Sequence, residues 1–444
     1  MKNQLPQSKE HEKTLGLFDL AILGIGAIIG TGILVLTGIV AAEDSGPAIV
    51  FSFLIAALAS GLIGLPNSGS AFFYAWVAIG KFVAFLAGWT LIGVYVTTTA
   101  TVANGWTGYV QSFLEVLGIN LPHRFLVTPA AGGFVNLPAV LMIILMTVIL
   151  TRGTSESKLV NNFLVGVKIF IILIFIIVST QHVNPANWHP FLPYGYQGIF
   201  TGASAVFFSF LGFDALATSA EDAKDVGHTI PRAIILCLLV STALYVIVSL
   251  VMTGVVPYKK LNVSEAMSYV LISQGHDYVA EVVSLGAVLG IMAVVFAFIY
   301  AGSNILKSMS RSRFLPKGLA TLNAKTQSPN RAIWLVGLAA AVFAGEFDLH
   351  YLALIANIGS LTVFLLISLI VIILRYRYPE LKRPFKVPFG NVIPTCSIII
   401  CIVLLVSISL KAWATYLVWI ALGLIVYFCY SLKHADEFNF TKEE

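Results

Sequence analysis

The chain has 444 residues, of which 58% are hydrophobic and 11% charged, with a formal net charge of +5. A soluble domain carries about 25% charged residues, so this chain cannot dress a water-facing surface, and its basic excess lies in short loops rather than on a nucleic-acid-binding face. The four cysteines, Cys237, Cys396, Cys401 and Cys429, lie inside apolar runs, which argues against a disulfide frame or a zinc site and leaves core packing as their role.

Continuous apolar runs such as 140–150 and 165–179 read as bilayer-spanning helices of about 20 residues each. Barrel strands would alternate apolar and polar residues instead. The polar segment 1–16 comes first. No small-residue cleavage site follows it, so the first helix is expected to be retained. Twelve spans are predicted. They lie near 17–40, 48–65, 82–112, 136–151, 159–180, 198–220, 231–255, 279–307, 331–345, 350–374, 391–409 and 412–432. Segment 67–80 reads as an amphipathic helix along the membrane face. With the N-terminus placed inside, Arg124, Lys259, Lys260 and Lys411 fall outside, and Lys168 falls within a span. All the other Lys and Arg residues, of 26 in the chain, fall inside. That bias predicts that both terminal tails, 1–16 and 433–444, are cytoplasmic.

The first span contains GIGAIIGTGIL, Gly24 to Leu34. Two readings stand. Gly26 and Gly30 form a GxxxG pair suited to close helix packing. Alternatively the helix unwinds locally, freeing backbone groups at membrane depth, and its second half attracts a carboxylate with its N-terminus. The sixth span carries a corresponding interruption in AVFFSFLGFDALATSAED, with Gly212 and Asp214 mid-span. An acid at that depth costs at least about 2.5 kcal/mol, so Asp214 needs a partner, a proton or a water-filled cavity. Paired interruptions in corresponding helices point to a transport site between two repeats.

Lys168 stands about ten residues past Lys158, roughly 15 Å into the bilayer at 1.5 Å per residue. Snorkelling works from near a helix end. The ammonium is therefore expected to face the bundle interior, standing in for a bound cation or losing its proton. Trp89, Trp106, Trp188, Trp334 and Trp413 lie near span ends and read as interface anchors. The eight histidines show no metal spacing. No phosphate loop of the GxxxxGK[ST] type occurs, and no nucleophile–base pair suggests an enzyme. No metal or other cofactor is expected.

The segments FDLAILGIGAIIGTGIL, PNSGSAFFYAWVAIGK, FFSFLGFDALATSAEDAKD and RPFKVPFGNVIP together resemble the amino acid–polyamine–organocation (APC) superfamily of permeases. The likeness runs to bacterial members of its cationic amino acid transporter branch and covers nearly the whole chain. It implies an all-α polytopic membrane protein with the leucine-transporter fold. A first five-helix repeat would take 17–180, a second, inverted one 198–374, and two further helices 391–432. The resemblance assigns the substrate carboxylate to Ile28, Gly30, Thr31 and Gly32. It assigns the amino group to the carbonyls of Phe208, Ser209 and Leu211, with Phe208 as an aromatic gate. Lys168 matches a lysine that takes the place of a sodium ion in sodium-coupled relatives.

The implied activity is secondary active transport of an L-amino acid across the cell membrane by alternating access. It would be sodium-independent, by proton symport or exchange, with Lys168 and Asp214 responding to protonation. The expected partners are the amino acid, protons and membrane lipids; a small membrane subunit or a second copy is left open. A neutral, small or branched substrate is expected, because no acid is placed in a side-chain pocket. The pattern departs from the family at two points. Relatives carry several more residues between Leu65 and Pro66, and often an acid in the third helix near Val94. These departures motivate the alternative of a transport-inactive amino-acid sensor or scaffold. An ion channel is a third reading.

Overall fold

The computed structural model describes residues 16–64, 71–116, 118–119, 121–153, 158–212, 226–326, 328–377 and 390–435. Among them every regular element is helical. Lipid offers no hydrogen-bond partner, so a chain this apolar must satisfy its backbone within helices. The helices in order are α1 (Leu17–Ile28), α2 (Ile49–Gly64), α3 (Ala71–Ala78), α4 (Lys81–Val116) and α5 (Leu137–Thr151). Next come α6 (Lys158–Thr180), α7 (Gly195–Val206), α8 (Val226–Val255), α9 (Ala266–Ser273) and α10 (Asp277–Arg311). The last are α11 (Asn330–Glu346), α12 (Leu349–Arg377), α13 (Val392–Val406) and α14 (Leu410–Val426).

Seven stretches among the described residues are long and apolar enough to cross a membrane, the first running from Leu20 to Ile63 through the glycine-rich segment. Leu137–Thr151 and Val392–Val406 are shorter apolar helices. Helix ends shift by a few residues from expectation, and two helices show differences of note. Pro231 was the expected start of its span, yet α8 begins at Val226 and keeps Pro231 inside. The expected amphipathic helix at 67–80 is α3, whose sequence AFFYAWVA has no charged residue and hence no charged face. Phe72 and Ala75 are buried, and Phe72 and Trp76 set their rings edge-on against Phe314.

Helix α4 lies at the centre, packed on α10, α11 and α12. Its threonines are inexpensive there because their hydroxyls turn back onto their own helix. Thr97 donates to Gly93 O at 2.8 Å, Thr99 to Tyr95 O at 2.7 Å and Thr101 to Thr97 O at 2.8 Å. Asn136 caps α5 by accepting from Ala139 N–H and Thr107 Oγ1, and it donates to Asn104 Oδ1 at 3.1 Å. Asn104 in turn donates to Phe347 O at 2.8 Å. The tryptophans are less peripheral than their positions suggest. The indole N–H groups of Trp89, Trp106, Trp188 and Trp413 all donate to protein carbonyls. Of the cysteines, Cys237 and Cys401 are buried as expected, but Cys396 and Cys429 are exposed on the helix surface.

Candidate functional site

Helix α1 stops at Ile28, and Ile29 and Gly30 leave the helical path. A π-helical turn, Gly32–Leu36, then starts at Thr31, and Thr37–Val40 returns to α geometry. Leu34 N–H reaches back to Gly30 O at 3.3 Å, whereas the N–H of Gly30 makes no backbone hydrogen bond among the described residues. The local unwinding is thus two residues and one wide turn. It still leaves donors at the start of a half-helix, where the dipole favours an anion.

Helix α7 ends at Val206. Phe207–Phe210 tightens to a 3-10 turn, Leu211 is extended with ψ 135°, and Gly212 has φ +118°. A side chain at Gly212 would be strained by that φ and would come within 2.6 Å of Ala27 O. The second interruption is therefore seated on the last turn of α1. Asp214 lies outside the described residues, as does the Leu65–Pro66 junction.

The two breaks touch. A Cβ at Gly32 would stand 2.5 Å from Ser209 Cα, so the Gly32 backbone packs directly on that of Ser209. Other helices close the sides. Gly30 faces Val294 of α10, and Thr31 Cγ2 fits against Gly105 of α4. The Lys168 ammonium, on α6, donates to Gly26 O at 3.0 Å, with its stem over Gly290 of α10. Lys168 is 3% exposed, and it is the one charged side chain buried among the described residues. The structure thus gathers Ile28, Gly30, Thr31, Gly32, Phe208, Ser209 and Leu211 at one junction, with Lys168 one turn away on Gly26.

Some backbone groups there are already engaged. Phe208 O accepts Leu211 N–H at 3.1 Å. The Tyr245 hydroxyl lies 2.8 Å from Ser209 O and 2.9 Å from Ile28 O, one proton facing two carbonyls. Each carbonyl keeps a second lone pair for another donor. Tyr245 and Tyr109, which donates to Leu34 O at 2.6 Å, were not anticipated from sequence. Two hydroxyls at the junction, Thr31 Oγ1 and Ser209 Oγ, are buried and have no partner among the described residues. Buried polar atoms normally have partners, so these two suit a polar occupant.

Tyr245→Phe removes the hydrogen bond that spans both breaks and nothing else. A net loss of about 1 kcal/mol in stability is expected from a melting curve. Uptake is expected to fall by about tenfold, because the loosened breaks misplace their free groups.

A family model described as amino acid permease matches residues 15–429. The chain is 43% identical to the methylthioribose transporter of Bacillus subtilis (strain 168), over 97% of this chain and 95% of that one. It is 42% identical to the branched-chain amino acid permease BcaP of the same organism, over 96% and 95% respectively. The branched-chain amino acid permease BcaP of Lactococcus lactis subsp. cremoris (strain MG1363) is 33% identical, over 95% of each chain.

Proposed function

The chain belongs to the amino acid permease family, and from that premise we propose that it carries a neutral L-amino acid across the cell membrane by alternating access. Family and apolar helices together make it an integral membrane protein of amino acid transport. The observation that carries the finer reading is the contact between the two breaks. Gly30 N–H, Thr31 Oγ1 and Ser209 Oγ lie at that contact without hydrogen-bond partners among the described residues. Donors at the start of a half-helix suit a carboxylate, and the spare lone pairs at Phe208 and Ser209 suit an ammonium. Charge supports the neutral side chain. A buried cationic side chain would need a carboxylate, and among the described residues none is buried.

Lys168 supports sodium independence, since its ammonium already supplies a positive charge beside Gly26 O. Proton symport or exchange then remains as the coupling, with the first and sixth spans rocking as the moving parts of two inverted repeats, 17–180 and 198–374. The lysine and arginine bias supports cytoplasmic tails, which puts residues 41–48 on the outer side.

Purified protein in liposomes tests this. Uptake of a labelled branched-chain amino acid should be blocked by neutral amino acids, should persist when choline replaces sodium, and should respond either to an inward proton gradient or to internal amino acid in counterflow. Methylthioribose belongs in the competitor panel because a relative is named for it. It lacks both the amino and the carboxyl group. Uptake of methylthioribose, with no amino acid taken up or competing, would sink the amino acid reading.

A further inference from the structure

Two polar side chains on one face of α12 reach the two broken helices. His350 and Asn357 are seven residues apart, so they share a face at a separation of about 10 Å. His350 Nδ1 is 2.8 Å from Glu43 Oε2, and its Nε2 is 3.1 Å from Asp44 Oδ2. Both carboxylates lie in the π-helical turn Ala41–Ser45 that ends the second half of the first helix. Glu43 Oε1 is held as well, accepting from Asn262 Nδ2 at 2.9 Å.

Asn357 is fully buried, and its amide nitrogen donates to Ser204 O at 2.7 Å and Ala205 O at 3.0 Å. These carbonyls belong to the last turn of α7, immediately before its break at Phe207. An amide NH2 has two hydrogens, and both point at this turn. No other neutral side chain of this size offers two donors on one atom. Ser204 Oγ donates to Leu404 O at 2.8 Å, which holds the same turn from the side of α13.

We propose that Asn357 is a positioning residue for transport. Through it α12 holds the half-helix before the second break, while His350 holds the half-helix after the first. The two half-helices that border the junction are thereby tied to one rod and swing as a unit. Asn357 does not touch the substrate; it sets where the Phe208 and Ser209 carbonyls stand relative to Gly32. The proposal rests on the transport reading above, although its labelling test does not.

The test uses Asn357→Ala, Asn357→Asp and Asn357→Ser in the full chain. Asp presents no donor to the two carbonyls when ionised, and Ser keeps one donor. Maximal uptake rate is expected to fall by about tenfold in N357A and further in N357D, with N357S between, while the half-saturation concentration stays within about threefold. The second readout is access. In a chain with all four cysteines changed to serine and Thr31→Cys introduced, an impermeant maleimide is applied to vesicles of each orientation. The labelling rate from the Glu43 side is expected to change at least about fivefold on adding N357A, and to move in the same direction with His350→Gln.

If N357A or N357S is folded and both maximal rate and labelling stay at the parent value, the proposal is overturned. It is also overturned if only the melting temperature falls. If N357D does not fold, N357S and H350Q decide the matter by the same criteria. If the unmodified chain transports no amino acid at all, the transport reading fails, and the labelling rates still decide whether α12 ties the two half-helices together.

Discussion

Lys168→Ala is expected to lower amino acid uptake by about two orders of magnitude, measured as the initial rate of labelled substrate entry into liposomes. The ammonium is buried and donates to Gly26 O at 3.0 Å, in the last turn before the first break. A hydrogen bond from a charged group contributes about 1.5–3 kcal/mol, and removing it leaves a buried carbonyl that loses its donor. Converted at 1.36 kcal/mol per tenfold, that range is about one to two orders of magnitude. The same charge sits within a turn of Gly30, where the proposed carboxylate binds, so its loss also weakens attraction for an anion in a low-dielectric site. The effect belongs to the charge and not to the volume. Lys168→Met keeps an unbranched stem over Gly290 and should lose uptake to the same degree with a smaller drop in melting temperature. Uptake above half the parent rate in K168M would show that the ammonium is dispensable. Lys168→Arg is not a neutral swap, because a Cβ at Gly290 would already meet the lysine stem at 2.9 Å, so a wider guanidinium has little room.

The helices and both breaks were legible in sequence for physical reasons. Long apolar runs have one stable backbone solution in lipid, so the cores of the helices were readable and their ends shifted by a few residues. Gly32 and Gly212 each meet a demand only glycine meets, backbone contact with Ser209 and a φ of +118° over Ala27 O, while Gly30 is only closely packed on Val294. Lys168 was legible from depth alone, since a charge that far from a helix end must turn inward.

The clamps were not legible. Tyr245 lies in the run LCLLVSTALYVIVSL, where a tyrosine could equally face lipid with its hydroxyl at an interface. Its role depends on two carbonyls whose positions follow from both breaks together. Asn357 and His350 are equally silent. Their partners are 153 and 307 positions away in sequence, and no local periodicity encodes such pairs. The form of the first break was also hidden. Glycine density announces departure from α geometry, but not that a π-helical turn, Gly32–Leu36, absorbs most of it. Thr37 then closes that turn, its hydroxyl donating to Gly32 O at 3.3 Å.

Gly32→Ala is expected to reduce uptake by about 100-fold or more, with a loss of about 1–3 kcal/mol in stability from overpacking. The added methyl would stand 2.5 Å from Ser209 Cα, roughly 1 Å inside ordinary contact, and the obstructing atom is backbone. No rotamer relieves it, so the two breaks must move apart. That movement is resisted on both sides. Ser209 O and Ile28 O share the Tyr245 hydroxyl, and α7 is pinned at Ser204 and Ala205 by Asn357. The strain therefore falls on the junction itself, where a displacement of about 1 Å costs about 100-fold in a positioned reaction. Gly166→Ala provides the comparison. A Cβ there meets nothing within 4 Å, inside α6 and two residues from Lys168 in sequence. It should leave uptake at the parent rate and stability unchanged or slightly raised. Uptake in G32A equal to that in G166A, with both chains folded, would mean that transport does not depend on the close seating of Gly32 on Ser209, and the junction would lose its claim to be the binding site.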